Sequence, residues 1–169
     1  GLSFIRVAMY TPTDPAKVLS FVNKQLRKRN GKSLFMTVLC GVYSLNSNEV
    51  VFASAGLNPP VKIDKNGVPQ LIKQENCLPL AITDDSEYQN IRIKLEPGET
   101  LFIYTDEILY SMNKQGDCFG TERLLESLRN APQHSAKSIG KAVLRAVRNF
   151  SGESRQMDDM TILLFKKFE

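Results

Sequence analysis

Histidine occurs once in this 169-residue chain, cysteine three times, and no apolar run is long enough to cross a bilayer. Cys40, Cys77 and Cys118 are odd in number, widely spaced and without paired histidine, which argues against a disulfide framework and against a zinc site. Free thiols of this kind fit a reducing cytoplasm, the expected location. The single histidine, His134 in "APQHSA", falls in a loop before a helix cap and is expected at the surface. A serine or cysteine nucleophile is therefore poorly supplied with a general base. The longest apolar stretches, such as "LFMTVLCGVYSL", are strand-length, and the first residues lack the charged-then-apolar layout of a signal peptide. No membrane segment is expected within this chain. Low-complexity tracts, internal repeats, interdomain linkers, a Walker-type loop and a dinucleotide fingerprint are also missing.

What is present suits a compact fold. The 42% apolar share is ordinary for a globular protein, and the length, residues 1–169, is enough for a single domain with a substantial core. The formal charge of +4 is modest, with one concentration in "KQLRKRNGK", residues 24–32. Basic residues there complement the C-terminal end of a helix dipole. No aromatic side chains interleave with them for base stacking, so no nucleic-acid partner is expected.

A helix is marked at "TPTDPAKVLSFVNKQLRKRNG", with Thr13 or Asp14 as cap, Pro15 in the first turn and Gly31 at the end. Val18, Leu19, Val22 and Leu26 share one face. From Leu34 to about Leu45 the run is rich in strand formers; the "NSNE" turn and "VVFASAG" complete a hairpin. "LNPPVKI" and "VPQLIK" flank the turn signal "DKNG", and "IRIKL" alternates with Ile91, Ile93 and Leu95 inward. The "EPGE" turn leads into "TLFIYT". Two helices follow, "GTERLLESLRNA" and "SAKSIGKAVLRAVRNF", the second with Ile139, Val143, Val147 and Phe150 on one stripe. "MTILLFKKF" reads as a strand whose unbroken apolar character predicts a central position. Grouped strands with helices before and after them predict an α+β fold of largely antiparallel sheets.

Chemistry concentrates in two acid pairs, Asp106–Glu107 in "FIYTDEILYS" and Asp158–Asp159 in "RQMDDMTILLF". Asp106 ends one predicted strand and Asp158 begins another. If those ends are neighbours, the carboxylates converge, and their repulsion calls for a cation between them. Hard oxygen ligands without cysteine or histidine point to Mg²⁺ or Mn²⁺, and a pair of such ions suits attack of water on a phosphoryl group. Acid pairs at strand ends are also common as solvated turn residues, and spacing alone leaves both readings open.

Taken in series, "FMTVLCGVYSLNSNEVVFASAGLNPP", "LEPGETLFIYTDEI", "GDCFGTERLLESL" and "MDDMTILLF" resemble the bacterial branch of the metal-dependent PPM protein phosphatases, and more closely the stage II sporulation protein E group with its sigma-regulatory members. The matches run in the family's order from about Asp14 to Lys166. The resemblance implies an αββα sandwich of two mainly antiparallel sheets flanked by helices, with two Mn²⁺ or Mg²⁺ ions in an intact site. It implies hydrolysis of phosphoserine or phosphothreonine by a metal-bound water, on a regulatory partner such as a STAS-type anti-anti-sigma protein in a partner-switching pathway. Asp106 matches the ligand of the Tyr-Thr-Asp-Gly motif and Asp158 the first aspartate of Asp-Asp-(Met/Ile)-Thr, both metal ligands. Asp159 and Glu107 stand as outer-sphere groups or an extra ligand. The backbone near Gly56 and Asn58 shapes the approach to the site, while Asn58 itself reads mainly as turn chemistry. Arg155 and Gln156 are positioned in sequence to meet a substrate phosphate, although a solvated loop is the plainer reading.

Three departures accompany the match. Glu107 stands where the family has glycine, Leu57 replaces the histidine of Ala-Gly-His, and the two upstream acidic glycine motifs are not in the chain, which corresponds to about the last three-quarters of the family domain. The absent strands would leave sheet edges unpaired and invite a homodimer. Two functions therefore stand: a metal-dependent serine/threonine phosphatase domain, or a catalytically inactive module of the same fold that binds a regulatory partner.

Overall fold

The computed structural model describes residues 14–29, 35–75, 78–152 and 159–168. Thr13, Gly31, Cys77, Arg155, Gln156 and Asp158 lie outside the described residues. The chain divides into two compact units, residues 1–57 with 74–94 and residues 58–73 with 95–169.

The first unit opens with helix α1 (Pro15–Arg29). Proline loses nothing in the first turn, and Asp14 Oδ1 accepts the Lys17 amide at 3.2 Å. The Asn90 side chain donates to Asp14 Oδ1 at 2.6 Å and, with Lys17, holds the Asp14 carboxyl below its usual pKa. The hairpin of β1 (Val38–Ser44) and β2 (Glu49–Ala55) runs in register from Val38 opposite Ala55 to Ser44 opposite Glu49. Asn48 turns it with φ 58, a left-handed conformation that asparagine tolerates. Further along the chain, β5 (Ile91–Lys94) pairs with β2, giving an antiparallel sheet of order β1-β2-β5. Val18, Leu19 and Val22 of α1 are buried with Ala53, Ala55, Leu80 and Tyr88, as the helical spacing requires. Asn23, 1% exposed, receives the Ala81 amide at 2.7 Å and donates to the Thr83 carbonyl at 2.8 Å. Its two bonds offset the cost of burying an amide.

The second unit contains β3 (Val61–Ile63), β4 (Pro69–Leu71), β6 (Thr100–Tyr104) and β7 (Ile162–Lys166) in a sheet of order β4-β3-β6-β7, antiparallel throughout. The "DKNG" turn forms as expected, with Asp64 Oδ1 accepting the Asn66 and Val68 amides at 2.8 Å and Gly67 at φ 83. Helices α3 (Gly120–Arg129) and α4 (Ala136–Ser151) bury Leu124, Leu128, Ile139, Val143 and Val147 with Phe102, Val61 and Ile63. Truncating Phe102, fully buried here, would cost about 3–5 kcal/mol. Ser135 caps α4 in a reciprocal box with Ser138, and His134 beside it is exposed as expected.

Among the described residues β7 has one neighbour, β6, where its apolar character predicts a central position. Its apolar run serves two faces: Ile162 and Leu164 pack in the core, while Leu163 and Phe165 are 60% and 36% exposed. After β6, Glu107–Tyr110 form a single helical turn, α2, with Ile108 buried.

Candidate functional site

The ladder registers of the second unit decide which side chains meet. Val61 lies opposite Phe102 and Tyr104 opposite Ile162, so the start of β3, the end of β6 and the start of β7 fall at one rim of the sheet. The end of β6 and the start of β7 are therefore neighbours, the condition posed for the two acid pairs, while Asp158 itself lies outside the described residues. Thr105 fastens them: its amide donates to the Thr161 carbonyl at 3.1 Å, the Thr161 amide donates to Thr105 Oγ1 at 3.0 Å, and that hydroxyl donates to the Asp159 carbonyl at 3.4 Å.

Asp106 follows at the entrance to α2. The Leu109 and Tyr110 amides use its carbonyl, at 2.9 and 3.0 Å, and its carboxylate makes no cap bond. The side chain is instead held from the segment just before β3. Asn58 Nδ2 donates to Asp106 Oδ1 at 2.7 Å, across 48 residues of sequence. Pro59 and Pro60 restrict the chain just after Asn58, and the Pro60 carbonyl accepts the Ile72 amide at 2.8 Å, fixing the approach. An Asn-Pro pair reads as turn chemistry in the sequence, and the register adds the bond to Asp106.

Electrostatics mark the same spot. Burial raises the Asp106 carboxyl above its ordinary pKa. Tyr104, 2% exposed, is pushed up to about 12, first by burial and then by the Asp106 charge. A half-buried carboxylate whose described partner is an uncharged amide retains an anionic oxygen, Oδ2, suited to a hard cation. Glu107 is the first residue of α2, partly buried, and Asp159 is exposed beside the Thr105 anchor. Among the described residues no group of three or more His, Cys, Asp or Glu side chains is arranged to hold a metal ion. Gly56, at φ 79, is followed by Leu57, whose carbonyl accepts from Gln74 Nε2 at 2.7 Å and Ser54 Oγ at 3.3 Å.

The family model for stage II sporulation protein E (SpoIIE) matches residues 2–168. The chain belongs to the SpoIIE family. Phosphoserine phosphatase RsbU of Bacillus subtilis (strain 168) is 22% identical over 173 residues, covering 98% of this chain and 50% of RsbU. The chain spans no more than half the length of the curated relatives it matches. Among solved structures, the SiaA-PP2C domain of Pseudomonas aeruginosa has a TM-score of 0.84 at 24% identity, covering 97% of this chain and 66% of that one. The Mn-presoaked phosphatase domain of the cell fate determinant SpoIIE from Bacillus subtilis has a TM-score of 0.70 at 15% identity, covering 99% and 72%. These likenesses show the PP2C fold for this SpoIIE-family chain, the α+β class expected from its strand and helix pattern. No described helix is long and apolar enough to cross a membrane.

Proposed function

We propose that this SpoIIE-family chain forms the metal-dependent part of a serine/threonine protein phosphatase domain, acting in the cytoplasm on a phosphorylated regulatory protein such as a STAS-type anti-anti-sigma factor. The observation that supports it most directly is the half-buried Asp106 carboxylate, held through one oxygen by Asn58 at the rim where β7 begins. RsbU is named a phosphoserine phosphatase, which supports the substrate class, and manganese was soaked into the SpoIIE domain. Asp106 and Asp158 would hold Mn²⁺ or Mg²⁺, with Glu107 and Asp159 beside them. Such an ion supplies Lewis acidity and neutralises phosphoryl charge. Asn58 keeps the Asp106 carboxylate in one rotamer, so less ordering remains to be done when an ion binds. Burial keeps water from screening that charge.

The test is phosphate release from phosphoserine peptides by the full-length protein with added Mn²⁺, alongside calorimetric titration of the metal. Turnover and metal binding that both disappear in Asp106→Asn and in Asp158→Asn are expected. Turnover surviving either change would overturn the reading. Glu107, in place of glycine beside Asp106, favours a second reading: a module of the same fold that binds a regulatory partner without catalysis, for which the titration would show no metal uptake.

A further inference from the structure

Helix α4 carries Lys137, Lys141, Arg145 and Arg148 and no acidic residue. Steps of four, four and three place these cations on one stripe, about 16 Å long at 1.5 Å per residue. All four are exposed, and among the described residues none is in an ion pair. Local stability does not account for the stripe. Like charges four apart repel, and Lys137 stands in the first turn, where the helix dipole disfavours a cation. Nor does the helix have a spare apolar face for lipid, since Ile139, Val143 and Val147 are consumed by the core.

A groove of about 510 Å³ runs between α3 and α4, and Arg145 belongs to both groove and stripe. Pro132, Ala142, Ala146 and Phe150 give the groove apolar lining. Arg123 adds a fixed cation: its guanidinium lies 4.7 Å over the Phe150 ring and its Nη1 donates to the Cys118 and Phe119 carbonyls at 3.1 Å. A cation already immobilised loses little freedom when a carboxylate arrives. Among the described residues Glu126 is the one acid in the lining. With Glu122 it balances Arg123 and Arg129 on α3, which disfavours the broad positive surface that nucleic acid needs.

We propose that the α3–α4 groove and the Lys137–Arg148 stripe form a docking surface for an acidic segment of a partner protein. One apolar side chain of that segment enters the groove and its carboxylates lie along the stripe. This surface shares no residue with the Asp106 site, so its test does not depend on phosphatase activity.

The experiment is fluorescence anisotropy of the full-length protein with a fluorescein-labelled Glu-Glu-Leu-Glu-Glu-Phe-Glu-Glu peptide. Micromolar binding is expected, weakening at least tenfold between 50 and 300 mM salt (roughly, for several released ion contacts). Lys141→Glu with Arg145→Glu should weaken it at least tenfold while the melting curve stays intact, as should replacing the peptide's leucine and phenylalanine by serine. Lys24→Glu with Lys28→Glu on α1 should leave it unchanged. No binding of the peptide, or equal loss in both double variants, overturns the proposal. So does tighter binding of phosphatidylserine vesicles or duplex DNA through the same two residues.

Discussion

Asn58 and Asp106, 48 residues apart in sequence, are joined by a 2.7 Å hydrogen bond from the Asn58 side-chain amide to Asp106 Oδ1. The bond exists because β3 and β6 are antiparallel neighbours, so the residue three before Val61 reaches the chain just after Tyr104. It ties a turn that looks structural to the carboxylate that looks functional.

Removing that donor should loosen the carboxylate without changing its charge. Asn58→Ala is expected to lower Mn²⁺ affinity or turnover by roughly 10- to 100-fold, the usual effect of losing a group that orients a ligand. Calorimetry and steady-state assays at saturating metal separate the two. Unchanged values in both would show that Asp106 is positioned by something else.

Asp106→Asn keeps the Asn58 bond and removes the charge. Burial raises the Asp106 pKa, so between its ordinary and its folded value the native state holds a proton that the unfolded chain has lost. Stability therefore falls as pH rises through that window. The metal-free asparagine variant should melt higher than the unsubstituted protein at neutral pH, with the difference vanishing below the ordinary carboxylate range. Thermal melts in chelator across pH check the sign.

Asn23 joins α1 to the Ala81–Thr83 backbone through both ends of its amide. Asn23→Leu strands the buried Ala81 amide N–H, at a cost of about 1–3 kcal/mol, and takes a partner from the part-buried Thr83 carbonyl. Urea denaturation should show a lower midpoint, and a variant as stable as the parent would contradict the stated role.

Gly56 sits at φ 79, and a Cβ there would come within 2.7 Å of Pro79 Cγ. Gly56→Ala combines left-handed strain with a clash against a rigid ring. A loss of about 1–3 kcal/mol is expected in the same denaturation assay.

Lys137→Glu tests whether the α4 stripe is kept at the expense of stability. Replacing a first-turn cation by an anion favours the dipole and relieves repulsion from Lys141, so the variant should gain about 0.3–1 kcal/mol. A higher Tm together with weaker peptide capture fits a surface retained for binding.

Much of this architecture was legible in the sequence because it rests on short-range signals. The "DKNG" turn, the "NSNE" hairpin, the alternation of "IRIKL" and the Ile139–Val143–Val147 stripe each carry their own period or turn chemistry. The turn at Glu107–Tyr110 was not legible, since four residues are too few to show a 3.6-residue period. That β7 has a single neighbour among the described residues was hidden for a related reason: a short apolar run reads alike whether one flank or both are paired. The place of Asn58 depended on a long-range register that no local pattern encodes. Of the acids proposed to hold an ion, Asp106 was legible together with its strand end, and the structure adds the Asn58 amide that holds its carboxylate.

The interleaving of the two units carries a practical consequence for anyone who would divide the protein. The polypeptide passes from one unit to the other after Leu57, after Lys73 and after Lys94. No single cleavage separates the two cores, and a clone stopped at any of these junctions leaves at least one sheet without a strand. Excision of either half would require joining its two segments directly, Leu57 to Gln74 or Lys73 to Leu95.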